Sequence, residues 1–199
     1  MEAATPQGVT AFILAGGKST RMGVDKAFVE YDGLTLLARA LDLARSVMPD
    51  VRIVGSHEKF ASFAPVVEDV FRDRGPLGGI HAALRSSPTE LNLMLAVDMP
   101  FVPAAFLQYL VQEARRVPAS TVVVAREDGR WQPLCGIYRR GFADAAETAL
   151  LAGRNRIDLL FDASTTRAIE GEELRRGGFS STIFRNLNTP EELEAQRRA

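Results

Sequence analysis

Short, β-branched apolar runs alternate along this chain with segments whose apolar residues recur at helical spacing, and this alternation restricts the fold more than any other feature. The run over 9–15 is almost continuously apolar and stops at Gly16-Gly17, as a strand buried on both faces should. Over 34–47 the apolar residues Leu36, Leu37, Ala40, Leu41, Ala44 and Val47 follow a helical period with charges between them, and Pro49 ends the pattern. Strands are predicted over 51–54, 65–68, 91–97 and 122–125. Helices are predicted over 57–63, from the Gly/Pro loop 72–79 through Leu84, and over 103–115 with Pro103 in the first turn. After Ala125 the pattern changes. A turn at 127–130 and an extended run over 132–138 predict a hairpin or an antiparallel strand inserted in the sheet. Helices over 141–151 and 155–161, short strands over 166–169 and 183–185, and a last helix opened by Thr189 and Pro190 complete the reading. Strand–helix alternation with short connections means βαβ units. The expected fold class is therefore α/β, a three-layer α/β/α arrangement around a mostly parallel, mixed sheet.

Composition narrows the classes. At 199 residues with 46% hydrophobic content, the chain has apolar material for one core, so 1–199 is expected to be a single domain. Its 24 Lys+Arg against 25 Asp+Glu leave a formal charge of -1, which excludes a whole-surface nucleic-acid binder. The apolar runs are too short to span a membrane, and no basic segment followed by an apolar stretch marks a signal peptide. The single Cys135 excludes an intrachain disulfide framework and a Cys-based zinc cage, which fits a cytoplasmic location. Basic residues are almost all Arg. The three lysines are Lys18, Lys26 and Lys59, and two of them fall in one Gly-rich loop.

In an open parallel sheet, ligands sit beyond the carboxyl ends of the strands, so the loops there hold the chemistry. Three are loaded. In the loop 14–26, Gly16, Gly17 and Gly23 let backbone N–H groups approach an anion, Ser19 and Thr20 add hydroxyls, and Lys18, Arg21 and Lys26 add cations. The spacing is neither that of a Walker A loop nor that of G-x-G-x-x-G. A Gly-rich turn with solvated charges is the plain alternative, and three cations with two hydroxyls weigh against it. The second loop carries Asp98 at the end of the most apolar strand. A carboxylate there needs a counter-charge, such as a divalent cation, unless it caps the next helix. The third carries Asp69, Arg72 and Arg74 before Gly75-Pro76-Leu77-Gly78-Gly79, where Asp69 is either a ribose or base acceptor or an ordinary loop carboxylate. His57 and His81 read as structural or incidental, because the loaded loops offer no His except His81, one turn into a helix.

The segment Leu14-Ala15-Gly16-Gly17-x-Ser19-x-Arg21-Met22-Gly23-x-Asp25-Lys26 resembles the signature of nucleotidylyltransferases with a Rossmann-related, glycosyltransferase-A-like fold, and among them the molybdenum cofactor guanylyltransferases. Further pieces resemble the same family in the same order: Arg74 to Gly79, Asp98-Met99-Pro100, Gln132-Pro133-Leu134 and Asn186-x-Asn188-Thr189-Pro190. The resemblance implies GMP transfer from GTP to the phosphate of molybdopterin, giving molybdopterin guanine dinucleotide and pyrophosphate. It implies nucleotide contacts at Leu14, Ala15, Gly16, Gly17, Lys26, Asp69 and Asp98, with Arg21, Lys26 and Asp98 in catalytic roles and Mg2+ on Asp98. Arg156, Asn186 and Asn188 would face the acceptor. The implied partners are GTP and molybdopterin, with transient contact to molybdopterin-synthesis proteins or molybdoenzymes, and a monomeric state. The family's Asn after the second strand is absent, because the chain reads Val54-Gly55-Ser56 there. Gly17 favours guanylyl over cytidylyl transfer, whose enzymes usually read Leu-Ala-Ala-Gly. A CTP-dependent or other small-phosphate enzyme and an idle nucleotide-binding regulatory module are the alternatives.

Overall fold

A computed structural model of the chain describes residues 8–16 and 25–187. Nine strands and six α-helices occur among them: β1 Val9–Leu14, β2 Glu30–Tyr31, β3 Leu34–Thr35, α1 Leu36–Arg45, β4 Asp50–Val54, α2 His57–Phe60, β5 Val66–Val67, α3 Pro76–Ser86, β6 Leu91–Ala96, α4 Ala104–Arg116, β7 Val122–Glu127, β8 Arg130–Arg139, α5 Phe142–Leu151, β9 Thr166–Glu170 and α6 Gly171–Arg176. Seven strands form one sheet in the order β5-β4-β1-β6-β8-β7-β9, and β2 pairs with β3 in a separate hairpin. All neighbouring pairs in the large sheet are parallel except those made by β8, which runs antiparallel to both β6 and β7. The inserted antiparallel strand read from 132–138 is β8.

Side-chain alternation divides the core in two. Ala11, Ile13, Ile53, Leu93, Leu95, Val123 and Ile137 face one side, where α1, α4 and α6 pack. Phe12, Val54, Met94, Val122, Val124 and Tyr138 face the other, under α3 and α5. Helices on both faces of a mostly parallel sheet give the α/β/α layering expected from the pattern.

Several expected boundaries move. The helix predicted from 34 begins at Leu36, because the Thr35 hydroxyl accepts the Ala38 N–H (3.2 Å) as an N-cap and Leu34 pairs with Tyr31. The loop 72–79 ends earlier. Gly75 takes a positive φ of 68°, Pro76 starts α3, and Gly78 and Gly79 are inside the helix. Pro103 is the N-cap of α4 rather than its first turn. The helix expected over 155–161 is a single 3-10 turn, Asp158–Leu160, since one turn already brings Ile157, Leu160 and Phe161 onto the second core cluster. The strand expected at 183–185 is the end of a 3-10 turn, Ser181–Phe184. Its Phe184 ring packs edge-on against Phe106 at 5.4 Å, and among the described residues no strand pairs with it. The helix expected from Thr189 lies outside the described residues.

Candidate functional site

The chain passes from β1 to β4 on one side of the sheet and returns through α3 to β6 on the other, so β1 and β6 are adjacent strands whose connections diverge. Ligands bind in the crevice such a divergence opens. Register sets what stands there. Leu14 is level with both Val54 and Ala96, so Ala15-Gly16, Gly55-Ser56 and Val97-Asp98 leave the sheet side by side. The N–H of Ala15 donates to Val54 O (3.0 Å) and that of Val97 to Leu14 O (3.2 Å), which extends the ladder to the crevice edge. Because β8 runs the other way, with Cys135 level with Leu95, its residues Pro133 and Gln132 reach the same end.

Lys26 and Asp98 meet in this crevice. The ammonium Nζ donates to Asp98 Oδ2 at 3.1 Å, with 27% and 16% of the two side chains exposed. A carboxylate this far out of water needs a cation, and Lys26 is one. Local structure fixes the lysine. Asp25 caps the 3-10 turn Lys26–Phe28 by accepting the Ala27 N–H (3.2 Å), and its other oxygen accepts Lys59 Nζ at 2.7 Å. Lys26 and Lys59 thus anchor the 3-10 turn Lys26–Phe28 and its cap, through Asp98 and Asp25. From later in the chain, the Leu187 N–H donates to the backbone carbonyl of Asp98 at 3.0 Å, which puts the exposed Asn186 one residue from that backbone contact.

Asp69 follows β5 and lies over the first turn of α3. A Cβ on Gly78 would be 2.5 and 2.9 Å from its carboxylate oxygens, so only glycine admits it. Burial pushes the Asp69 pKa above the ordinary carboxylate value, against the opposing pulls of the Phe71 N–H bond (2.8 Å) and of His81. The position of the absent Asn has its own constraint. A Cβ on Gly55 would lie 2.7 Å from the Phe60 ring, so the strand end is packed by that aromatic ring there.

Arg156, expected at the acceptor, is exposed and pairs with Asp158 at 2.5 Å. Asp158 lines an open groove of about 470 Å³ with Pro76, Arg130, Trp131, Pro133 and Asn155. Trp131 packs edge-on against Phe161 at 5.0 Å beneath the Arg126 guanidinium, so it serves packing and groove wall together. Among the proposed site residues, the structure assembles Leu14, Ala15, Gly16, Lys26, Asp98 and Asn186 around one crevice. Asp69 sits at the adjoining helix start and Arg156 at the groove rim. Gly17, Arg21 and Asn188 lie outside the described residues.

Residues 11–166 match the family of the MobA-like NTP transferase domain. The chain belongs to that family. The molybdenum cofactor guanylyltransferase of Desulfosudis oleivorans is 35% identical over 94% of this chain and 93% of its own length. That of Syntrophotalea carbinolica is 32% identical over 95% and 90%. The crystal structure of molybdopterin-guanine dinucleotide biosynthesis protein A from Archaeoglobus fulgidus superposes with a TM-score of 0.81 at 28% identity, covering 95% of this chain and 97% of that one. In this MobA-like transferase the recognised motif segments 14–16, 25–26, 74–79 and 98–100 lie at the end of β1 or in the stretches that follow β1, β5 and β6. Two features of the site went unread in the sequence. Asp25 and Lys59 are 34 residues apart and carry no motif together, and the Asp69–Gly78 fit becomes visible only once α3 is seen to start at Pro76.

Proposed function

We propose that this chain, acting as one nucleotidylyltransferase domain over 1–199 and as a monomer, transfers GMP from GTP to the terminal phosphate of molybdopterin. A phosphate oxygen of the acceptor attacks the α-phosphorus in line, the bond from that phosphorus to the bridging oxygen breaks, and pyrophosphate leaves with the electron pair. The acceptor phosphate is already ionised near neutral pH, so no side chain has to remove a proton. The residues' work is to place two polyanions against each other and to offset their repulsion. The observation that carries this reading is the Lys26–Asp98 pair at the divergence of β1 and β6.

Gly16 leaves room for the nucleotide against the backbone, Lys26 and Arg21 supply positive charge to the triphosphate, and Asp69 accepts from the base or ribose. Asn186, Asn188 and Arg156 face the acceptor. Asp98 is the residue that would hold Mg2+. Among the described residues no cluster of three or more His, Cys, Asp or Glu side chains could bind an ion. One half-buried carboxylate fits magnesium, which keeps several waters and takes substrate phosphate oxygens for the rest. When bound, that ion would neutralise charge developing on the triphosphate oxygens. No helix among the described residues is long and apolar enough to cross a membrane, which accords with a cytoplasmic enzyme meeting soluble substrates.

Pyrophosphate release, measured with GTP, CTP or ATP and with or without molybdopterin, tests the assignment. Release only with GTP plus molybdopterin is expected. Release with CTP instead would make the chain a cytidylyltransferase, and nucleotide binding without release would make it a binding module.

A further inference from the structure

His81 lies one turn into α3 with 6% of its side chain exposed, and neither ring nitrogen has a hydrogen-bond partner among the described residues. Glu147 Oε2 of α5 stands 3.8 Å from Nε2, beyond ordinary hydrogen-bond reach. A buried polar group without a partner is destabilising, so its presence calls for a role. What rides on the same helix face supplies one. Gly78 and His81 are three residues apart and therefore neighbours on α3. The Asp69 carboxylate and the Phe71 carbonyl occupy the space that Gly78 leaves, within 2.5 to 2.9 Å of where a Cβ would be. One turn on, the His81 ring meets Phe71 edge-on, with centroids 5.0 Å apart and planes at 77°. The turn from Asp69 to Phe71 thus rests on α3 at two points. Behind the ring stand Glu147 and Arg85, with Asp144 bonded to Arg85 at 2.8 Å.

We propose that His81 is a positioning residue acting through the Asp69–Phe71 turn, fixing where the nucleotide-facing carboxylate stands and tying nucleotide affinity to its own proton state. This rests on the reading of Asp69 as a nucleotide contact. Burial, reinforced by Arg85, pushes the His81 pKa below its ordinary value against the pull of Glu147 and Asp69, so the ring is neutral near pH 7. As pH falls through that lowered value, the ring becomes a cation facing Asp69 and Glu147. It then competes with the nucleotide for the Asp69 carboxylate.

The test compares wild type, His81→Ala, His81→Phe and Asp69→Ala in pyrophosphate release between about pH 5 and about pH 8, with melting temperatures alongside. His81→Ala should raise KM for GTP about 3- to 10-fold at neutral pH, the size of one lost aromatic edge contact, with kcat little changed. His81→Phe keeps the edge contact and should restore most of that affinity, while losing the wild-type dependence of KM on acidification that His81 supplies. If both His81 variants lower the melting temperature and leave KM for GTP unchanged at every pH, His81 is packing only and the inference is overturned. An unchanged KM in Asp69→Ala would also remove the Asp69 reading, whereas a raised KM there with inert His81 variants sinks this inference alone. Should His81→Ala fail to fold, the wild-type ring resonances titrated by NMR with and without GTP decide. The His81 pKa should move on GTP binding, because linkage is reciprocal, and an identical pKa in both states refutes the coupling.

Discussion

Lys26 and Asp98 are 72 positions apart in the chain and 3.1 Å apart in the fold, a pairing that sets the 3-10 turn Lys26–Phe28 against the residue just beyond the end of β6. Their residue types and neighbours are legible in the sequence, but their contact is not, because it depends on which strands are adjacent. Asp98→Ala should abolish magnesium-dependent pyrophosphate release while the melting temperature moves little, since the side chain keeps 16% of its surface in water and its carboxylate meets the Lys26 ammonium rather than the apolar core. Wild-type turnover in that variant would end its role as metal carboxylate. Lys26→Ala should lower kcat about 100-fold or more, as expected for losing one preorganised charge contact to the transition state. The fit of Asp69 against Gly78 makes a different kind of claim, because the intruding methyl would meet a carboxylate and a backbone carbonyl. Gly78→Ala must push the Asp69 turn off α3, so KM for GTP should rise by about 10-fold while kcat changes less. Equal KM values for the two proteins would show that the turn does not set nucleotide affinity.

At the scale of elements, the parallel strands and their helices could be read from periodicity because each is apolar enough to announce itself. The departures are local and have physical causes. Segment 183–185 is apolar like a strand, yet its Phe184 and Ile183 are buried beneath α4 without pairing. Segment 155–161 needs only one turn to set Ile157, Leu160 and Phe161 against the core, and it leaves its fourth apolar residue, Leu159, exposed. The helix α6 went unread because Glu172, Glu173, Arg175 and Arg176 leave it only Leu174 to bury. The reversed strand β8 is held on both sides, and at Gly136 it approaches β7 closely enough that a Cβ would lie 2.5 Å from Val124 Cγ1 and 2.9 Å from Val123 O. Neither neighbour can swing away, one being a branched side chain in a strand and the other backbone. Gly136→Ala should therefore destabilise by about 1–3 kcal/mol, which in a chain of this size lowers the melting temperature by roughly 2–4 °C per kcal/mol. A calorimetric scan with an unchanged transition would mean the two strands can separate at no cost.

Across the whole molecule, the near-zero net charge conceals an arrangement in which the charged and polar groups have separate duties. Lys26 and Asp98 mark the crevice at one end of the sheet. At the other end, Thr10, Thr89, Ser87 and Asn92 form a buried hydrogen-bonded network that joins β1, β6 and, through Tyr138 O, β8. A third group governs the last part of the chain. Glu173 of α6 accepts from Tyr109 of α4 (2.6 Å) and from Arg167 of β9, and Arg167 also reaches the buried Glu113 of α4 at 3.0 Å. This clamp holds β9 and α6 onto α4, and from there the chain returns through Ile183 and Phe184 to Leu187, whose N–H meets Asp98 O. Burial alone would raise the Glu173 pKa, but Arg167 and Tyr109 outweigh it and hold the carboxyl below its ordinary value. A carboxyl whose folded pKa is depressed stabilises the fold above its unfolded value, and that contribution is lost as pH falls through the folded one. Glu173→Gln should therefore melt lower than wild type near neutral pH, with the gap closing as pH drops below the ordinary glutamate range, where both side chains are uncharged. Melting curves recorded across that range decide it. A gap that stays constant with pH would mean Glu173 contributes through its hydrogen bonds and packing alone, with no part for its charge in holding the C-terminal return to the site.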